Sequence, residues 1–369
     1  MQNPFVTTYS KIPDNSYIPT EQTKEIVENF MYDVPAESVY KITGVRGSGK
    51  TVLLAKVEEE IQRLNDDEKN GEWIIYRISP SRDMLQQLLA LLAKDFSGSK
   101  GNGKKKVRGV NLSGTILGTG GGIGITSETD DRYYDVGAEI DAFLEKAKII
   151  GKKILIGIDE VSKTKEMEIF VAEFGKWLRA RYPIYLVCTG LYENIEQLYN
   201  VPNLTFFRRA TTIMTTPLNF VKMSEMYRKR LGVDTSKAKE LADITGGYAY
   251  TFQELGVISF KHKDWTLDEL VSELKTELYA YAYEKIWEEL SDGDRALVNL
   301  LTEKDEYAKD DVTSRMVKPQ NYAVYRDRLI KRGILKKRHG FIGLALPYFG
   351  EYVLEYGDIS GVNGRFVIK

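Results

Sequence analysis

Residues Gly44, Val45, Arg46, Gly47, Ser48, Gly49, Lys50 and Thr51 set two glycines five positions apart, directly before a lysine and a hydroxyl residue. Each type has a task in holding phosphates. Glycine reaches backbone angles that a Cβ forbids, so the N–H groups of such a loop can curl around an anion. Lys50 brings a positive charge to the β and γ oxygens of a nucleotide, and Thr51 offers Mg²⁺ a hydroxyl ligand. From Thr51 and Val52 onward the apolar spacing is helical, and the helix aims its positive end at the same oxygens. The chemistry expected of this segment is the binding of ATP with Mg²⁺.

A second group of residues suits the other half of that chemistry. The apolar run at 153–158 ends in Asp159-Glu160. Asp159 would hold Mg²⁺, directly or through water, and Glu160 would orient and deprotonate an attacking water. Thr189 closes the next apolar run and would contact the γ-phosphate or that water; a threonine satisfying its own strand end is the plainer reading. Arg208 and Arg209 follow Phe206-Phe207 in a segment read as loop. A guanidinium supplied to a γ-phosphate speeds hydrolysis by about 10³–10⁵, but these two could equally face solvent.

The elements that must position these groups follow from the pattern. Val39–Thr43 and Trp73–Ile78 read as strands, as do 153–158 and 184–190. The last two are continuous apolar runs, as expected of strands buried on both faces of a parallel sheet. Helical spacing covers 51–64, 82–96, 132–150 and 165–181. Strands alternating with helices predict an α/β fold, a three-layer αβα parallel sheet. Residues 97–131, rich in Gly, Ser, Lys and Thr, read as an insertion, and its basic run at Lys104, Lys105, Lys106 and Arg108 reads as a solvated loop. From 218 to 290 the chain reads as helices broken near Gly232 and at Gly246-Gly247.

Composition narrows the field. The 369 residues are 43% hydrophobic and 28% charged, with net charge −1, so any nucleic-acid footprint must be local. The single cysteine, Cys188, permits no internal disulfide, and two histidines make a zinc site a poor expectation. No apolar run approaches the ~18 residues of a membrane helix. The N-terminal residues lack a signal-peptide pattern. A cytoplasmic protein with no membrane partner is expected.

Three segments, 44–51, 154–160 and 186–190, together with the helical segment ending in Ala242-Asp-Ile-Thr-Gly-Gly-Tyr248, resemble the AAA+ superfamily of P-loop ATPases. The likeness is to the branch holding small prokaryotic ATPases, STAND-type switch ATPases and origin-recognition initiators. It implies Walker A and Walker B motifs at the first two segments and a helical lid subdomain at the last. It implies that Tyr17, Ile18 and Pro19 lie where the adenine-contacting segment would, and that subunits assemble, since arginines in this superfamily often act across them. One departure stands out. Many members carry an arginine shortly after the lid's glycine pair, whereas here Tyr-Ala-Tyr-Thr-Phe-Gln253 follows Gly247. Slow hydrolysis, or a non-hydrolysing switch that recruits protein partners, is therefore the alternative to an active ATPase.

The last segment, 291–347, resembles a winged helix. Ser291 can cap a helix, a second would span 311–316, and Pro319 can open a third. Two β-rich runs then flank His339-Gly340, a hairpin signal. Between Arg315 and Gly340 stand nine basic residues against one acid. Arg315, Lys318, Asn321, Arg326, Lys336, Lys337 and Arg338 are the candidate contacts to double-stranded DNA; docking of a protein is the other reading. The domains expected are 1–216 (nucleotide-binding α/β), 217–290 (lid) and 291–369 (winged helix).

Overall fold

The computed structural model describes residues 2–8, 12–67, 71–81, 83–97, 135–199, 201 and 204–357. The insertion read at 97–131, with its basic run, lies outside the described residues except for Ser97.

Five parallel strands form the first layer: β1 (Val39–Thr43), β2 (Trp73–Ile78), β3 (Lys153–Ile158), β4 (Ile184–Gly190) and β5 (Thr211–Met214). Their order is β2-β3-β4-β1-β5, with Lys41 beside Cys188 on one side and Thr212 on the other. Strands β1 and β4 are buried at every position. Alternate residues feed the two faces. Tyr40, Ile42, Leu155, Tyr185 and Val187 pack with α1 (Glu21–Met31) and α2 (Lys50–Asp67). Val39, Ile154, Ile156, Ile158 and Leu186 pack with α3 (Met84–Phe96), α4 (Val136–Ile149), α5 (Lys165–Arg179), α6 (Tyr192–Tyr199) and α7 (Thr205–Arg209). This is the αβα sandwich expected.

Helices α8 (Phe220–Leu231), α9 (Thr235–Ile244), α10 (Ala249–Lys261) and α11 (Leu267–Leu278) make the lid. Side chains of Asn219, Asp234 and Thr266 cap three of their N-termini, Thr266 in a reciprocal pair with Glu269. A π-turn at Tyr279–Tyr283 leads into α12 (Glu284–Glu288).

The C-terminal module follows the winged-helix order. It runs α13 (Asp292–Asn299), β6 (Tyr307–Ala308), α14 (Lys309–Thr313), a 3₁₀ turn at Pro319–Asn321, α15 (Tyr322–Lys331), β7 (Leu335–Arg338), β8 (Phe341–Leu344) and α16 (Phe349–Tyr356). Ser291 does cap α13, and β7 and β8 pair antiparallel across His339-Gly340. Lid and module share one hydrophobic core, which also takes in Phe5, Ile18 and Val45.

Sequence reading missed α1, α6, β5, β6 and α16, and it took Arg208-Arg209 for loop. They occupy the last turn of α7, a helix too short to show a period. Strand β5 is an edge strand with only Ile213 buried, so no apolar run announces it.

Candidate nucleotide site

Strand β1 delivers the glycine loop. Gly47 and Gly49 have φ of +71° and +90°, which only glycine adopts without strain. Gly47 also has no room for a side chain, because a Cβ there would come 2.8 Å from Cβ of Tyr250. The lid closes on the loop at this point. The Tyr250 N–H donates to Gly47 O at 3.0 Å, and the Tyr248 hydroxyl donates to Arg46 O.

Lys50 Nζ donates to the carbonyls of Gly44 (3.0 Å) and Val45 (2.9 Å). Burial pushes its ammonium down to about 8; Arg46 adds to this, while Asp159, Glu160 and Glu289 oppose it. The Ser48 hydroxyl accepts from Thr215 Oγ1 at 2.8 Å.

At the carboxyl ends of β3 and β4 the acidic pair meets the loop. Thr51 Oγ1 donates to Asp159 Oδ1 at 3.2 Å, and the Thr189 hydroxyl donates to the same oxygen. Thr189 is fully buried and also accepts the Glu160 N–H at 3.0 Å. Glu160 sits at φ +56°, a conformation that costs a non-glycine residue energy and recurs at functional sites. The Thr189 hydroxyl thus fixes both acids. The structure brings Lys50, Thr51, Asp159, Glu160 and Thr189 together.

A cavity opens beside the loop. Tyr17 and Ile18 line it from the N-terminal segment, Ser48, Gly49, Val52 and Leu53 from the loop and α2, and Leu218, Ala249 and Gln253 from the lid. Pro19 does not line it; its carbonyl accepts from Lys222 Nζ at 3.0 Å, and the residue faces a groove between α1 and α2. In the sequence Gln253 signals no more than the absence of an arginine. In the fold it accepts the Val6 N–H and the Ser16 hydroxyl, and donates to Ser16 O at 3.2 Å, so it fastens the N-terminal segment over the cavity.

Arg46 points away from the loop and pairs with Glu289 at 2.6 Å. Arg208 and Arg209 are exposed, and among the described residues neither side chain makes an ion pair. In the C-terminal module, Arg315 donates to Leu300 O, Asn321 donates to the Tyr325 hydroxyl and Arg326 pairs with Asp327. Lys318, Lys336, Lys337 and Arg338 are exposed.

Two of the nine basic residues of this stretch point inward. Arg328 pairs with the buried Asp294 at 2.7 Å. Arg332, 8% exposed, contacts Glu193 on α6 and donates to Glu289 O at 3.3 Å. The backbone follows it closely: a Cβ on Gly333 would lie 3.5 Å from Val45 N. A chain of polar contacts, two ion pairs joined through the Glu289 backbone carbonyl, therefore runs from the glycine loop (Arg46) to the linker (Glu289), the module (Arg332) and the helix after β4 (Glu193).

Residues 280–353 match a family described as a domain of unknown function (DUF8462). No curated protein matches the chain in sequence. Among solved structures, it is similar to the Walker-type ATPase PABY2304 of Pyrococcus abyssi, with TM-score 0.63 and 13% identity over 95% of this chain and 99% of that one. It is also similar to the ADP form of the Aeropyrum pernix ORC2 protein, with TM-score 0.50 and 12% identity over 95% of each. The fold is the αβα fold of AAA+ P-loop ATPases. No helix among the described residues is long and apolar enough to cross a membrane.

Proposed function

We propose that this AAA+ chain binds ATP with Mg²⁺, hydrolyses it, and couples the nucleotide's state to the winged-helix module, which takes duplex DNA as its partner. The observation that carries the reading is the hydrogen-bonded set Thr51–Asp159–Thr189–Glu160 beside the glycine loop. The domain division used is 1–216, 217–290 and 291–369, the lid between site and module.

The residues fit the implied groups. Thr51 and Asp159 form an all-oxygen donor pair of the kind Mg²⁺ takes. The Lys50 ammonium rests on two carbonyls of its own loop, and phosphate oxygens, being anionic, are stronger acceptors that can take it from them. The ADP form of a fold neighbour supports a nucleotide in this place. Bound Mg²⁺ would supply charge neutralisation at the β and γ oxygens. Tyr17 and Ile18 give the base an apolar wall. Glu160, its backbone held by Thr189, takes the proton from the attacking water. Arg208 and Arg209, exposed and without an ion pair among the described residues, are the guanidiniums offered to the γ-phosphate of a second copy of the chain.

The test is ATP turnover at low salt, with and without duplex DNA, for wild type and Glu160→Gln. Turnover that rises with DNA and vanishes in the variant supports the reading; turnover retained in the variant removes Glu160 as the base.

One observation favours a second reading, a slow or non-hydrolysing switch that recruits protein. Arg46–Glu289 ties the glycine loop to the end of the lid, and Arg332, which donates to Glu289 O and pairs with Glu193 on α6, ties the winged-helix module to the nucleotide-binding domain. Nucleotide exchange would then be limited by release of the module rather than by chemistry.

A further inference from the structure

Lys41 sits in the middle of β1 with no exposed surface. Its register partners are Cys188 on β4 and Thr212 on β5, and among the described residues it has no carboxylate ion-pair partner. A buried, unpaired ammonium is costly, so its contacts matter. Nζ donates to Phe207 O at 2.7 Å and to the Tyr199 hydroxyl at 3.1 Å, and it lies 4.5 Å from the Tyr199 ring centroid. The Tyr199 hydroxyl in turn meets Thr212 Oγ1 at 3.3 Å. Burial pushes the Lys41 ammonium down to about 8.

Phe207 belongs to α7, one turn long, whose last two residues are Arg208 and Arg209. So short a helix has almost no hydrogen bonds of its own to fix its direction. It is held from two sides instead. Phe206 packs into the space that Gly175 leaves on α5, where a Cβ would stand 2.6 Å from the ring, and stacks on Phe174. From the sheet side, Lys41 grips the carbonyl of the residue that precedes the arginines. The same strand runs two residues further into the glycine loop.

We propose that Lys41 is a positioning residue: by holding the Phe207 carbonyl it sets the direction in which Arg208 and Arg209 leave the surface, and so their reach to the phosphates. This deepens the proposed function and rests on its reading of the two arginines. Lys41 itself touches no nucleotide. Its loss leaves the glycine loop's own residues in place and acts only on what α7 carries.

A double-mutant cycle on the full chain tests this, with kcat and ATP affinity measured for wild type, Lys41→Met, the double variant Arg208→Ala/Arg209→Ala and the triple variant. A misplacement on the ångström scale costs about 10²-fold, so Lys41→Met is expected to lower kcat by about that factor with ATP affinity unchanged. On the arginine-free background it is expected to lower nothing further. An equal loss on that background, or wild-type kcat in Lys41→Met while the arginine variant is impaired, overturns the role of Lys41 alone. Wild-type kcat in the arginine variant overturns the arginine reading and this proposal with it. Should Lys41→Met fail to fold, Tyr199→Phe carries the same cycle. It removes one of the two acceptors of Nζ and should give a smaller loss, again only where the arginines are intact; an equal loss without them overturns the proposal.

Discussion

Glu193→Gln should loosen the module from the ATPase core without disturbing either. Glu193 lies on α6, four residues beyond Thr189, and its carboxylate faces the Arg332 guanidinium. Burial raises the carboxyl's pKa above its ordinary value, and Arg332 pulls it back, so the carboxylate depends on that partner. Arg332 keeps two other contacts when the charge is removed, Glu289 O at 3.3 Å and Asp294 Oδ2 at 3.9 Å. The change therefore removes one interdomain attraction and leaves the module's own network standing.

A close, partly buried charge pair is worth about 1.5–3 kcal/mol at the low end of what such pairs contribute, which is about a 10- to 150-fold shift in the clamped equilibrium. The remaining polar contacts across the interface are weaker. The Arg46–Glu289 pair is 43% and 30% exposed and contributes at most about 1 kcal/mol. Lys331 over the Tyr192 ring, at 5.4 Å, contributes about 0.5–1 kcal/mol. Release of a fluorescent ADP analogue, followed by stopped flow, should quicken by at least tenfold, the low end of that range. Hydrogen exchange along α15 should rise in parallel, with the melting temperature of the ATPase core unchanged. Release within twofold of wild type, with α15 equally protected, would refute the clamp.

Lys50→Ala should abolish tight ATP binding, because the phosphates lose their charge partner; undiminished affinity by calorimetry removes the glycine loop as the site. Lys41 gives a pH signature of its own. Its folded value of about 8 lies below the ordinary 10.5, so between those pH values the unfolded chain holds a proton that the folded chain does not, and stability rises with pH. The penalty is full below pH 8. Lys41→Met should therefore show a smaller gain in urea stability from pH 8 to 9 than wild type; equal slopes exclude the buried charge. Buried Cys188, pushed up to about 12, works in the opposite direction only above pH 9. For DNA, replacing Lys336, Lys337 and Arg338 with alanine should flatten the slope of log K against log salt by about 2.7, at about 0.9 for each phosphate left without its cation. A scrambled duplex should compete as well as any other, and an unchanged slope removes the hairpin from the interface.

The candidate nucleotide site is open to sequence reading because its residues are grouped locally. Gly44 to Thr51 carry their spacing within one loop, and Asp159-Glu160 close a run buried on both faces, which no surface segment imitates. What escapes such a reading is set by contacts between distant residues. Arg332 reads as one more basic residue beside a hairpin, yet its partners are Glu193 and Glu289. Lys41 reads as a polar interruption in a short strand, and only the fold shows the Phe207 carbonyl above it. The ratio of nine bases to one acid misleads in the same way. Arg328 and Arg332 answer acids outside the stretch, and Arg326 is paired within it. The exposed positions of α15 are Ala323, Val324, Asp327 and Lys331, a poor surface for reading base edges. Apart from Lys331, which sits over the Tyr192 ring, the outward cations lie before the 3₁₀ turn, at Lys318, and on β7, positions suited to phosphates rather than to a base sequence. The module has turned the C-terminal end of its third helix, Lys331 and Arg332, toward α6 of the α/β domain. The module thus faces the nucleotide site with its buried cations, and in the proposed reading only the hairpin is left free for DNA.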